Sequence, residues 1–451
     1  MNRRPGWGET APIVSTIRAG LAAVGAAILL AGCIPGVRVV GLSAAVFTPA
    51  PPQPTPTLPP TAQPTATTAP RPSPTPTAVA AFDLPLGPVA YTIPLTIRHR
   101  TARSATLFFE LSAPAPGSLI LRPIAGGEAV ETPLDPAQTR HLITVEGLAP
   151  GTEYRVCVAL GGEGETFHQP SFMARPWGPV VLRTMPEDGP LRFGVLSDAS
   201  FGDPVTSALI EGMAAADLDF VLHAGDVVDE TEQGVDPFDS YARKFYTPFE
   251  PLLSQMPVYT VIGNHDYDSD IRWQDEPFYY HAFPPFPDAS FPGQEARATS
   301  QYYAFVYRDI QFLMLDSQVL FGAPGRAEQA DWLAEHLADP RFRATIPVFH
   351  VSPFTSSSVH PTDSLPVQYE WVPLFESAGI PVVFSGHFHQ YERLSYGGTT
   401  YIVTGGGSSI TYAPGERLPQ SVVFTRRSHF VLAELEGDRL ALSAIAVNGE
   451  V

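Results

Sequence analysis

Five segments of this chain run through apolar residues and finish on a side chain that can bind a metal ion. Leu191-Arg192-Phe193-Gly194-Val195-Leu196-Ser197-Asp198 ends in a carboxylate, as does Asp219-Phe220-Val221-Leu222-His223-Ala224-Gly225-Asp226. The segment from Pro257 carries Gly263-Asn264-His265-Asp266, and Ile346-Pro347-Val348-Phe349-His350 ends in an imidazole. Val382-Val383-Phe384-Ser385 opens onto Gly386-His387-Phe388-His389. Two histidines spaced in this way, on an extended or turning segment, suit two separate ions better than one. Alone, the pair reads equally as two polar residues in a surface loop. Isolated strand-end caps are a poor account of such donors recurring at five segment ends in order. Carboxylate, amide and imidazole ligands suit Fe, Mn and Zn alike.

Donors from five segments can meet only if the segments end on one side of a fold. Each segment is a short apolar run, read as a buried strand, and helical patterns lie between them. In α/β folds the carboxyl ends of strands converge on one crevice. Residues 188–451 therefore read as an α/β domain. Residues 81–187 have a different character. Stretches such as Thr106-Leu107-Phe108-Phe109-Glu110-Leu111 and His141-Leu142-Ile143-Thr144-Val145 alternate between Pro and Gly turns, the pattern of an all-β sandwich. His99, His141, His168, His281, His336 and His429 show no metal spacing or motif and read as structural or surface residues. Residues 34–80 are rich in Pro and Thr and read as a disordered linker of polyproline II character.

The chain of 451 residues is long enough for two substantial cores. Its formal net charge is −19 and no Lys/Arg-rich run offsets it, which argues against a nucleic acid polymer as partner. A small anionic substrate is still compatible, because a bound metal ion reverses the local field. In residues 1–33, Arg3, Arg4 and Arg18 precede an apolar run, as in a secretory signal. Leu30-Ala31-Gly32-Cys33 resembles the lipobox of bacterial lipoproteins, which implies a lipid anchor at Cys33. The competing expectation is a single N-terminal transmembrane anchor, since no charge falls between Arg18 and Arg38. Either expectation places the remainder outside the cytoplasm. With Cys33 modified, Cys157 has no partner for an intrachain disulfide.

The ordered motifs Asp198, Gly225-Asp226, Gly263-Asn264-His265-Asp266, His350 and Gly386-His387-Phe388-His389 resemble those of the metallophosphoesterase (calcineurin-like) superfamily. Tyr391-Glu392-Arg393, Tyr401-Ile402-Val403-Thr404-Gly405-Gly406-Gly407 and the preceding β domain are similar to the purple acid phosphatase branch. Leu148-Ala149-Pro150-Gly151-Thr152-Glu153-Tyr154-Arg155-Val156 resembles the tyrosine corner of fibronectin type III domains. The resemblance implies two packed mixed β-sheets flanked by helices. It also implies a dinuclear centre of two divalent or trivalent ions (Fe, Mn or Zn). Asn264, His350 and His387 would hold one ion, Asp198 and His389 the other, with Asp226 bridging. His265 would contact the phosphate or protonate the leaving oxygen. His360 matches a phosphate-facing histidine of the family, and His223 reads as a neighbour of the ligands.

Two positions depart from the family. Purple acid phosphatases place a tyrosine ligand where this chain has Asp229, and other members place a histidine where it has Ser200. Asp226-Val227-Val228-Asp229 instead resembles the protein phosphatase branch, which implies that Asp229 orients His265 as an acid pair. Without a tyrosine ligand no purple colour is expected. Tyr279-Tyr280 and Phe283-Pro284-Pro285-Phe286-Pro287 read either as a pocket lining or as a surface loop. Together these observations predict an exported, membrane-anchored phosphoesterase with a metal-bound hydroxide nucleophile, acting on small phosphate mono- or diesters. The alternative is a non-catalytic surface adhesion protein with a partly lapsed site.

Overall fold

The computed structural model describes residues 38–39, 89–161, 170–173, 177–229, 236–267 and 277–451. The signal segment, Cys33, His168 and nearly all of the linker read from the sequence lie outside these residues. Within that linker, the short strand β1 (Arg38–Val39) pairs in parallel with the last strand of the chain. Among the described residues, no helix is long and apolar enough to cross a membrane.

The first folded unit holds β2 (Tyr91–Arg100), β3 (Ser104–Leu111), β4 (Gly117–Pro123), β5 (Val130–Pro133), β6 (Arg140–Glu146), β7 (Glu153–Leu160) and β8 (Val180–Arg183). They form antiparallel sheets ordered β2-β3-β6 and β5-β4-β7-β8. Tyr91, Ile93, Leu95 and Ile97 alternate along β2 and are buried with Leu119, Leu121, Val156 and Val158 of the other sheet. The Tyr154 hydroxyl accepts the Ala149 amide at 2.8 Å and closes the turn before β7.

Two further sheets follow. One contains β9 (Leu191–Leu196), β10 (Phe220–His223), β11 (Val258–Thr260), β19 (His429–Glu436) and β20 (Arg439–Ala446), in the order β1-β20-β19-β9-β10-β11. The other contains β12 (Tyr303–Tyr307), β13 (Ile310–Met314), β14 (Ala344–Val351), β15 (Val382–Gly386), β16 (Tyr391–Tyr396), β17 (Thr399–Thr404) and β18 (Ser421–Thr425), in the order β12-β13-β14-β15-β17-β16-β18. Strands β9, β10 and β11 are mutually parallel, and so are β13, β14 and β15. Both faces of such strands must be covered, and every residue of β10 and β15 is buried. Phe193, Phe220, Phe305, Phe312 and Phe384 fill the space between the two sheets. Phe220 stacks on Tyr307 with ring centroids 4.6 Å apart.

Helices cover the outer faces. On one side α1 (Pro204–Ala214) and α3 (Thr247–Leu253) contribute Leu209, Ile210, Met213, Phe249 and Leu252 to a cluster that continues into the N-terminal β unit. The short α2 (Pro237–Tyr241) leads into a π-helical turn before α3. On the other side Leu333 of α5 (Arg326–Leu337) and Val367, Trp371 and Phe375 of α6 (Ser364–Ala378) pack on the seven-stranded sheet. The segment from Tyr279 to Phe286 is neither pocket lining nor surface loop. Tyr279, in α4 (Phe278–Ala282), Phe283 and Phe286 are core residues, so their apolar area serves packing.

The β unit is joined to the sheets by polar contacts as well as apolar ones. The Arg100 guanidinium donates to the carbonyls of Arg183 (2.6 Å), Gln255 and Asp219. His99 meets the Tyr259 hydroxyl at 2.7 Å, and His281 of α4 meets Glu110 at 2.8 Å. The histidines without metal spacing at positions 99 and 281 thus serve this junction.

Candidate metal centre

Because β9, β10 and β11 run together, Asp198, Asp226 and Asn264 emerge at one edge of the first sheet. In the second sheet His350 lies near the end of β14, and His387 and His389 follow β15. The two edges meet. Nε2 of His350 is 3.1 Å from Oδ1 of Asn264 and 3.2 Å from Oδ2 of Asp226. Nδ1 of His387 is 3.0 Å from the same Asn264 oxygen. Nε2 of His389 is 3.4 Å from Oδ1 of Asp198. All six residues predicted as ligands therefore lie in one constellation, and Asp198, Asp226 and His350 have ligand atoms within 4.8 Å of one another.

The approach of the two edges is close enough to demand glycine. A Cβ on Gly225 would lie 2.5 Å from Nδ1 of His350, and one on Gly386 would lie 1.9 Å from Oγ of Ser197. Asp198, Asp226 and His387 adopt the left-handed region, with φ of 58°, 52° and 68°. Non-glycine residues rarely do so without compensation, and such strain clusters at functional sites. Here the compensation includes hydrogen bonds to the candidate ligand carboxylates themselves. The His387 amide donates to Oδ2 of Asp198 at 3.0 Å, and the His265 amide to Oδ1 of Asp226 at 3.0 Å.

The donor set fits cations. Two atoms bound about 2.1 Å from one ion lie roughly 3.0–3.4 Å apart, the spacing these donors show. Nδ1 of His350 donates to the Ala224 carbonyl at 2.9 Å, which turns Nε2 toward oxygens that only accept. Oδ1 of Asp198 is fully buried without a hydrogen-bond partner. Such orphaned atoms are costly unless an ion satisfies them. The electrostatics agree. Burial acts to raise the Asp226 pKa, but His350 and His265 outweigh it and hold the carboxyl below its ordinary range. Burial acts to lower the His350 pKa, but Asp226 outweighs it and carries the imidazole up to about 9. The cluster therefore favours positive charge.

The other predicted residues are placed as follows. His360 is exposed in the loop after β14, in the left-handed region, with its ring 6.4 Å from that of His387. Asp229 forms an ion pair with Lys244 of the π-helical turn. His223 is fully buried, its ring 5.6 Å from Phe249, and burial pushes its pKa down to about 4. Ser200 is buried.

Sequence reasoning missed four residues. Asp363 meets Nε2 of His387 at 3.1 Å. Tyr412, from the loop after β17, stacks on His389 with centroids 4.2 Å apart. Asp266 accepts the amides of Gly263 (2.8 Å), Val227 (3.0 Å) and Val228 (3.2 Å), clasping the two loops that present Asp226 and Asn264. Glu392 accepts the Ser356 amide at 2.8 Å and the Ser356 hydroxyl at 2.6 Å, tying the His360 loop to the strand after His389. Asp266 and Glu392 fell within motifs recognised from the sequence, which gave a signal without a role.

The calcineurin-like phosphoesterase family model matches residues 191–391, the span that carries all six ligand candidates. Purple acid phosphatase 18 of Arabidopsis thaliana is 27% identical over 240 residues, 52% of this chain and 48% of that protein. Purple acid phosphatase 23 of the same plant is 24% identical over 303 residues, 60% of this chain and 62% of that protein. The chain thus spans about half the length of the curated relatives it matches. Among solved structures, purple acid phosphatase PPD1 from yellow lupin (Lupinus luteus) seeds has a TM-score of 0.59 at 16% identity, covering 79% of this chain and 72% of that one. PhoD has a TM-score of 0.54 at 14% identity, covering 77% and 84%. At these identities the structures establish a shared fold. Residues 191–391 are thus a calcineurin-like phosphoesterase domain, similar over about half of the chain to plant purple acid phosphatases.

Proposed function

We propose that this protein is an exported, lipid-anchored phosphoesterase with a two-metal site, hydrolysing small phosphate mono- or diesters. The observation that carries the reading is the meeting of Asp198, Asp226, Asn264, His350, His387 and His389 at two facing sheet edges. Asn264, His350 and His387 would hold one ion, Asp198 and His389 the other, and Asp226 would bridge them. When bound, such a pair supplies Lewis acidity to the phosphoryl group and a water of lowered pKa. The remaining chemistry belongs to the chain. The carboxylates would set the charge that keeps both ions in place, and the neutral Asn264 amide would leave its ion electrophilic. His265, whose amide is fixed by Asp226, is assigned the proton for the leaving oxygen. His360, facing His387 from its loop, is assigned a contact to the phosphate. Asp229 is assigned the orientation of His265 as an acid pair, and its ion pair with Lys244 steadies it on the loop after β10.

The N-terminal β unit is read as a fibronectin type III-like domain, supported by its two antiparallel sheets and the Tyr154 corner. Anchoring at Cys33 rests on the lipobox resemblance and is tested by labelling the expressed chain with a fatty-acid analogue. The catalytic reading is tested by loading the purified chain with Fe, Mn or Zn and assaying aryl phosphate mono- and diesters. Turnover is expected with at least one metal. Two bound ions without turnover on either ester class would overturn it.

A further inference from the structure

We propose that Asp363 is a positioning residue for His387: its carboxylate fixes the ring so that Nδ1, rather than Nε2, faces the metal site. The inference rests on the two-metal reading above and extends it to a residue with no role in that reading. Asp363 stands at the N-cap of α6, where an aspartate ordinarily accepts a backbone amide of the first helical turn. Here its side chain makes no such capping bond. It reaches instead to Nε2 of His387, 3.1 Å away. An ionised carboxylate only accepts, so Nε2 must carry the proton. Nδ1 then presents a lone pair, and what it faces at 3.0 Å is the oxygen of Asn264. Two lone pairs at that distance repel unless a cation lies between them.

The arrangement is the mirror of that around His350. There Nδ1 is occupied by the Ala224 carbonyl and Nε2 faces Asn264. One histidine is set by a backbone carbonyl inside the sheet, the other by a carboxylate from a loop. A partner on the far nitrogen fixes a ligand's tautomer and raises its basicity, and losing such a partner typically weakens metal affinity by about 10–100-fold. The loop is itself held in place. The Asp363 amide donates to the His360 carbonyl at 3.0 Å, and Glu392 anchors Ser356 further upstream.

The test is zinc binding by the full chain, stripped of metal and titrated with Zn(II), with calorimetry and elemental analysis as readouts. Wild type is expected to take up two ions. Asp363→Ser retains a good helix cap but is too short to reach His387. It should fold with an unchanged melting temperature, bind one ion normally and bind the second about 10–100-fold more weakly. Asp363→Asn keeps an acceptor oxygen and should recover part of the loss. If Asp363→Ser binds both ions as wild type does, or if it weakens both equally, the proposal is wrong while the two-metal reading stands. If wild type binds no ion, the two-metal reading fails and takes this inference with it. Should Asp363→Ser fold poorly, the comparison of Asp363→Asn with wild type decides, and equal affinities there overturn the role of the charge.

Discussion

Tyr412 lies parallel to His389, with ring planes 4° apart and centroids separated by 4.2 Å. The relationship bears on the ligand that the sequence leaves missing beside Asp198 and His389. An ion held by Nε2 of His389 would lie beside that ring, whereas the Tyr412 hydroxyl lies in the plane of its own. Stacked rings come no nearer than about 3.5 Å, so the hydroxyl stays well beyond the ~2 Å of an oxygen–metal bond. Burial first, then the charges of Asp198 and Asp226, push the Tyr412 pKa up to about 12, so it remains a phenol. The iron-loaded protein is therefore expected to show no tyrosinate charge-transfer band, and Tyr412→Phe should leave its visible spectrum unchanged. A visible band that vanishes in Tyr412→Phe would show that the ring moves to become a ligand.

Asp266 is expected to matter more for stability than its neighbour His265. Its one carboxylate satisfies the buried amides of Gly263, Val227 and Val228. Burial, then the charge of Asp226, raise its pKa to about 7, so these bonds contribute about 0.5–1.5 kcal/mol each, not additively, and the amides left behind would be buried and unpaired. Asp266→Ala should cost about 2–4 kcal/mol in urea unfolding, whereas His265→Ala should stay within about 1 kcal/mol. Equal costs would show that the clasp is dispensable.

What the sequence disclosed, and what it withheld, follows from the range of the interactions. The donors at positions 198, 226, 264, 350, 387 and 389 each terminate a short apolar run, a local pattern, and parallel strands bring such ends together by topology alone. The mutual placement of Asp363 and His387 depends on where a loop before α6 turns, and nothing at either position advertises it. Tyr412 reaches His389 from a loop with no periodic pattern. The ion pair of Asp229 with Lys244 is likewise hidden in the sequence, because Lys244 sits on a π-helical turn that no spacing rule foretells. The aromatic stretch from Tyr279 to Phe286 was ambiguous because burial, not composition, decides whether such residues form a pocket or a core.

His429 should make the fold lose stability in mild acid. It is 2% exposed, accepts from the Thr404 hydroxyl at 3.1 Å and donates to the Arg427 carbonyl at 2.8 Å. Burial pushes its pKa down to about 4 from an ordinary 6.5. The unfolded chain therefore binds a proton that the folded chain refuses. The resulting stability is fully present above about pH 6.5, declines as pH falls and is gone below about pH 4. The interval corresponds to about 3 kcal/mol. His429→Phe should flatten the slope of unfolding free energy against pH by about one proton across this window. An unchanged slope would place the acid sensitivity elsewhere.

Arg100 should couple the N-terminal β unit to the sheets that carry the site. Its side chain is 1% exposed, and its guanidinium donates to the carbonyl of Asp219, the residue that leads into β10 and so toward Asp226. It also donates to Arg183 and to Gln255, on the approach to β11 and so to Asn264. Burial acts to lower its pKa, but a guanidinium keeps its proton in such a place, so the charge must be met by these carbonyls. Arg100→Ala leaves a cavity and up to three unpaired carbonyls, two of them ahead of strands that carry ligand candidates. A loss of about 3–5 kcal/mol is expected, with fluorescence and circular dichroism still reporting one coincident transition because the apolar cluster is shared across the junction. Two separate transitions in the wild-type protein would show instead that the β unit folds independently and that Arg100 serves only as a local tether.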